Sequence, residues 1–149
     1  MWLKNTVSER ELIEAAFDAR KKSYSPYSGY SVGACILTEN GIMYKGANIE
    51  NASYGATNCA ERTALFKAVS EGERSFCAIA IVGGKSDEER EVSDYAFPCG
   101  ICRQVLREFT DPKSFKVIVA KSVNDYKQYT LDMLLPESFG PEKLSDSKL

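Results

Sequence analysis

The run Phe76-Cys77-Ala78-Ile79-Ala80-Ile81-Val82 is apolar throughout, so a strand formed there must be covered on both faces, as in the centre of an α/β sheet. The flanking sequence supplies the covering layers. Ser8-Glu9-Arg10-Glu11 forms a capping-box pattern, and Leu12, Ile13, Ala16 and Phe17 recur at helical spacing, predicting a helix to about Lys22 that ends in Ser23 to Ser28 with its Pro26. Ser31 to Thr38 and Ile42 to Ala47 flank Glu39-Asn40-Gly41, a hairpin signal. Cys59 to Glu71 carries Ala60, Ala64, Leu65 and Ala68 on one helical stripe and stops at Gly72. Gly83 to Tyr95 reads as a polar, acidic loop. Pro98-Cys99-Gly100-Ile101-Cys102 opens a helix through about Phe109, Phe115 to Ala120 and Gln128 to Leu131 read as strands, and Leu131 to Leu135 as a short helical turn. The order α-β-β-α-β-α-β-β predicts an α/β fold with a mixed central sheet and helices on both faces. With 149 residues, 44% of them apolar, the expectation is a single domain over 1–149.

Charge and residue counts remove several function classes. Nineteen Lys and Arg against 21 Asp and Glu leave a net charge of −2, without the basic excess that binding to a phosphate backbone needs, so no nucleic-acid partner is expected. No apolar run approaches the roughly 18 residues of a membrane span, and Met1 to Arg10 lacks the apolar stretch of a signal peptide. The expected location is the cytoplasm. Ser147-Lys148-Leu149 matches a peroxisomal address, which matters only in a eukaryote. The chain has no histidine, which excludes Ser-His-Asp, Cys-His and His-metal arrangements. A catalytic metal has to be held by cysteine or carboxylate.

The five cysteines are an odd set that does not resemble a disulfide framework. Cys35 and Cys77 lie inside apolar strand patterns and read as core filling. Cys59, Cys99 and Cys102 each fall at or near a predicted helix start, where they can meet around one metal. A C-x-x-C pair alone also serves redox couples, structural zinc ribbons and iron–sulfur clusters. Three thiolates with one open position are more economical than a closed site, because no spare cysteine lies outside the strands.

Glu61 follows Cys59 by two residues, which puts its carboxylate near the metal without making it a ligand, the position of a proton carrier. Cys59-Ala60-Glu61 followed by Pro98-Cys99-Gly100-Ile101-Cys102 matches the pattern of zinc-dependent base deaminases, with cysteine where histidine can stand. Three thiolates and Zn²⁺ sum to −1, a charge that opposes ionisation of a bound water. Two helix N-termini and Arg62, able to hydrogen-bond thiolates from behind, can offset it; otherwise Arg62 is a solvated helix arginine. Arg103 receives no assignment.

Gly46-Ala47-Asn48-Ile49-Glu50-Asn51-Ala52-Ser53-Tyr54, Asn58-Cys59-Ala60-Glu61-Arg62-Thr63-Ala64 and Pro98-Cys99-Gly100-Ile101-Cys102-Arg103-Gln104 together resemble the small, homotetrameric, zinc-dependent cytidine deaminases. The similarity extends to Tyr24-Ser25-Pro26-Tyr27-Ser28 and to Leu134-Leu135-Pro136-Glu137-Ser138-Phe139-Gly140, and so spans most of the chain. The resemblance implies one zinc per chain on Cys59, Cys99 and Cys102, with Glu61 as the proton shuttle. It implies that Asn48 and Glu50 hold the ribose 3′-hydroxyl, that the Ala60 N–H meets the pyrimidine O2, and that Tyr30 packs on the base where family members often have Phe. Tyr54 and Phe139 match positions that complete a neighbouring subunit's pocket, which implies a homotetramer with shared active sites.

The expected activity is hydrolytic deamination of cytidine and deoxycytidine to uridine and deoxyuridine with release of ammonia, a nucleoside-salvage reaction in which a zinc-activated water attacks C4 and Glu61 moves the protons. One rival is a deaminase of another cytosine-bearing molecule, which a carboxylate at the sugar disfavours because it seeks a free hydroxyl. The other is a noncatalytic zinc module, separated by whether activity disappears with Glu61 while zinc stays.

Overall fold

The computed structural model describes residues 6–144; Ser147-Lys148-Leu149 lies outside the described residues. Helix α1 spans Glu9–Arg20 and opens as its sequence requires. The Ser8 hydroxyl accepts from the Glu11 N–H at 3.1 Å, and the Glu11 carboxylate accepts from the Ser8 N–H at 2.7 Å. At its other end the buried Arg20 donates to the carbonyls of Ser31 (2.7 Å), Lys85 (2.6 Å) and Glu88, tying the helix to the sheet.

Strands β1 (Tyr30–Thr38) and β2 (Met43–Ala47) form the expected hairpin. Helix α2 covers Ala60–Ser70, β3 Phe76–Lys85, α3 Gly100–Phe109, β4 Lys116–Ser122, β5 Asp125–Thr130 and α4 Leu131–Leu134. The five strands make one mixed sheet in the order β2-β1-β3-β4-β5, with β3 and β4 parallel and the other pairs antiparallel. The apolar run is the central strand, as predicted. Alternation along the strands divides the core. Ala34, Ile36, Ile79, Ile81, Val117 and Val119 face Ala64, Leu65 and Ala68 of α2 and Leu106 of α3. Cys35, Leu37, Ala80, Val82, Ile118 and Ala120 face Leu12, Ile13 and Ala16 of α1. Helices therefore cover both faces, and Cys35 and Cys77 are buried core residues. Burial pushes the Cys35 thiol up to about 12, so it stays protonated and inert.

Around β3 and β5 the boundaries differ from the sequence expectation. Gly83 to Lys85, read as the start of a loop, continue β3 because β1 offers them a ladder: Val32 pairs Gly83, Ser31 pairs Gly84 and Tyr30 pairs Lys85. A side chain at Gly83 would meet the Ala96 methyl at 2.7 Å, so glycine there lets the following loop lie against the strand. Strand β5 begins at Asp125 rather than Gln128, and Leu131 starts α4 instead of ending the strand. As the edge of the sheet, β5 is held by its pairing with β4 and carries polar residues that hide it from an apolar-pattern search.

The hairpin also seats α2. A Cβ at Gly46 would lie 2.3 Å from the Ala64 nitrogen and 2.8 Å from the Ala60 carbonyl oxygen, so glycine permits direct contact between the helix backbone and β2.

Candidate active site

Ala47 at the end of β2 pairs with Gly33, and Gly33 with Val82 near the end of β3, so the chain leaves both strands on the same side of the sheet. The connections that follow lead into α2 and α3, whose N-caps are Cys59 and Cys99; Cys102 is in the first turn of α3. This brings residues forty apart in sequence together: the Cys59 and Cys99 sulfurs are 3.9 Å apart, and the three sulfurs all lie within 4.8 Å of one another. Tetrahedral thiolate ligands at the usual Zn–S distance are separated by about 3.8 Å. Among the described residues this is the one cluster of three or more Cys or carboxylate side chains close enough to share an ion. The donor set is right for zinc, and the three thiols could hold one such ion.

The electrostatics follow from burial and from Arg62. A hydrogen bond from Cys102, with help from Arg62 and against desolvation, holds the Cys59 thiol down to about 5. The same contact, with burial, pushes Cys102 up. The Arg62 guanidinium donates to the Cys59 sulfur at 3.3 Å. Burial acts against its charge, but the bonds to Cys59 and Cys102 outweigh that and raise it above the ordinary arginine value. Arg62 is therefore turned to the thiols rather than to water. Glu61 is 4% exposed, and desolvation pushes its carboxyl up to about 7. A carboxyl in that range exchanges its proton readily at neutral pH.

A cavity of about 360 Å³ opens beside the thiols. Tyr30, Asn48, Cys59, Ala60, Glu61 and Cys99 line it, as does Phe97, whose ring meets Tyr129 edge-on with centroids 5.6 Å apart. The apolar walls from Val32, Ile81, Tyr95, Ala96 and Phe97 were not singled out from sequence; the one available signal was the aromatic pair Tyr95 and Phe97 immediately before Pro98. Glu50 is not part of this lining. Its carboxylate accepts from the N–H groups of Tyr27 (2.9 Å) and Ser28 (3.1 Å) and from the Ser28 hydroxyl, which holds it below the usual carboxylate range. Tyr54 and Phe139 also lie away from the cavity, 74% and 53% exposed. Arg103 donates to the carbonyls of Pro98 (2.7 Å) and Leu134 (2.6 Å), bracing the approach to Cys99.

The cytidine and deoxycytidylate deaminase zinc-binding region is matched over residues 6–119. The chain belongs to this family. It is 49% identical over 135 residues to the cytidine deaminase of Halalkalibacterium halodurans, covering 91% of this chain and 96% of that protein. It is 48% identical over 135 residues to that of Sporosarcina psychrophila, covering 91% of this chain and 93% of that protein. The crystal structure of cytidine deaminase from Burkholderia pseudomallei superposes with a TM-score of 0.80 at 44% identity, covering 89% of this chain and 100% of that one. The family's zinc-binding region contains both helix starts that carry the three thiols.

Proposed function

We propose that this chain hydrolyses cytidine and deoxycytidine to uridine and deoxyuridine, releasing ammonia, as part of nucleoside salvage. The observation that carries the reading is the Glu61 carboxyl, buried beside three clustered thiols and raised to about 7 at the floor of a nucleoside-sized cavity.

Cys59, Cys99 and Cys102 would hold one zinc per chain, and zinc in such a site supplies a nucleophile near neutral pH by acidifying a water. Glu61 takes a proton from the water as its oxygen approaches C4 and passes it to N3 of the pyrimidine; it then takes the proton of the hydroxyl now on C4 and delivers it to the departing amine, leaving the C4 carbonyl and ammonia. Each transfer resets the same carboxylate. Arg62 spreads positive charge onto the thiolates and so limits the negative field that would oppose the first transfer.

The base would lie in the cavity with Tyr30 packed against it and the Ala60 N–H donating to O2. Asn48 and Glu50 would hold the ribose 3′-hydroxyl, Asn48 from the cavity wall and Glu50 from the adjoining loop. We assign the chain to a homotetramer in which Tyr54 and Phe139 close a neighbour's pocket; the wide exposure of both rings on a single chain supports this. A cytoplasmic location suits a salvage enzyme, and no described helix is long and apolar enough to cross a membrane. The direct test is an ultraviolet assay of cytidine loss with and without a zinc chelator: turnover should stop on chelation and return with added zinc, and no turnover by zinc-loaded protein would end this reading.

A further inference from the structure

Asn48 is tied into the framework more completely than a ligand-binding side chain needs to be. Its Oδ1 accepts from the Val32 N–H at 2.9 Å and from the Ser23 hydroxyl, and its Nδ2 donates to the Tyr30 carbonyl at 2.9 Å. A backbone donor facing the oxygen and a backbone acceptor facing the nitrogen leave no choice of amide orientation. Both lone pairs of Oδ1 and one proton of Nδ2 are then used. Asn48 keeps one capacity for anything bound in the cavity it lines: a single N–H donor.

Ser23 lies beside other hydroxyls. Its Oγ is directed at both the Asn48 Oδ1 at 2.5 Å and the Ser25 hydroxyl at 3.3 Å; a serine has one proton, and the much shorter contact to Asn48 takes it. Ser25 in turn lies 3.1 Å from the Ser31 hydroxyl and 3.3 Å from that of Ser86, which are 2.8 Å from each other. Four serine hydroxyls thus cluster along a wider cavity beside α1, and one of them reaches Asn48.

We propose that Ser23 is a positioning residue for the nucleoside sugar: its hydroxyl anchors the Asn48 amide so that the remaining Nδ2–H donates to the 3′ oxygen while Glu50 accepts that hydroxyl's proton. The inference rests on the roles of Asn48 and Glu50 proposed above. Such a pair asks one oxygen to accept and donate at once, which a free hydroxyl does and an ester or ether oxygen does not. Ser23 touches neither Glu61 nor the thiols, so its effect belongs to binding rather than to the chemical step.

The test compares wild type, Ser23→Ala and Ser23→Thr on cytidine and 3′-deoxycytidine, with zinc content and thermal midpoint measured for each. Ser23→Ala should raise KM for cytidine about three- to tenfold, the range of one net hydrogen bond, with kcat changed less than about twofold. KM for 3′-deoxycytidine should not move, Ser23→Thr should restore the cytidine value, and zinc content should stay constant. Ser23→Gly removes the same hydroxyl and should shift KM for cytidine in the same direction, which keeps the test open should Ser23→Ala fail to fold. An equal rise in KM for both substrates, an unchanged KM for cytidine, or loss of zinc in Ser23→Ala would overturn the proposal while leaving Asn48 and Glu50 in their roles. If wild type itself uses both substrates with the same KM, the sugar-binding reading fails and this inference fails with it.

Discussion

Cys59 and Cys99 are the N-caps of two different helices, and their sulfurs approach to 3.9 Å. Neither sulfur caps its helix by a side-chain hydrogen bond, so both are free to face a common point. Purified protein should contain about one zinc per chain by elemental analysis, as a single three-thiolate site implies. Cys99→Ser should lose most of that zinc, and Cys35→Ser, a change in the core on the far face of the sheet, should keep it. The reverse pattern would break the ligand assignment.

Glu61→Gln preserves shape and removes the group proposed to carry the protons. Activity should fall by ~10²–10⁴-fold, the usual loss for a general acid–base group, while zinc content and thermal midpoint hold. Near-normal turnover by the zinc-loaded variant would sink the mechanism.

Glu50 links substrate choice to pH. Cytidine should be turned over efficiently, a 3′-phosphate should be a poor substrate, and oligonucleotides should be inert, since esterification removes the hydroxyl proton that Glu50 is proposed to accept and a −2 chain offers phosphates no attraction. Comparable rates on all three would favour a polynucleotide-acting enzyme. Glu50→Gln should weaken nucleoside turnover with zinc unchanged. Because its bonds to Ser28 and Tyr27 lower the Glu50 pKa in the folded chain, the stability it contributes is present above the ordinary value of 4.5 and is lost as pH falls through the folded value. Thermal midpoints of wild type and Glu50→Gln should therefore differ at neutral pH and converge in acid.

Light scattering at assay concentration should report four chains. Phe139→Ala should reduce turnover without altering zinc content if its ring closes a neighbour's pocket. A fully active monomer would refute the shared-site proposal and leave the chemistry intact.

The clustering of the three thiols was legible because its information is local: a cysteine at each helix start and a proline before the second pair. The hairpin, the capping box and the two-faced central strand were legible for the same reason. What escaped the sequence was set by partners distant in the chain. Gly83 to Lys85 are strand only because β1 runs beside them. Arg103 showed no role because its acceptors are backbone carbonyls, which every sequence possesses. Asn48 read as a ligand-binding residue, but the bonds that occupy most of its amide come from Ser23, Val32 and Tyr30 through the fold. Phe97 belonged to no motif, although it forms a wall of the cavity.

The bare contact between Gly46 and the backbone of α2 acts as a depth stop for the reacting groups. Ala60, whose carbonyl lies over Gly46, immediately precedes Glu61 and follows Cys59. Gly46→Ala would have to lift the first turn of α2, shifting Glu61 and one sulfur together relative to the two sulfurs on α3. Displacements of about 1 Å can cost 10²-fold in rate. The smallest possible side-chain addition, in a strand that contributes no atom to the chemistry, should thus produce a chain that still folds and turns over poorly, with kcat reporting how accurately one helix is docked.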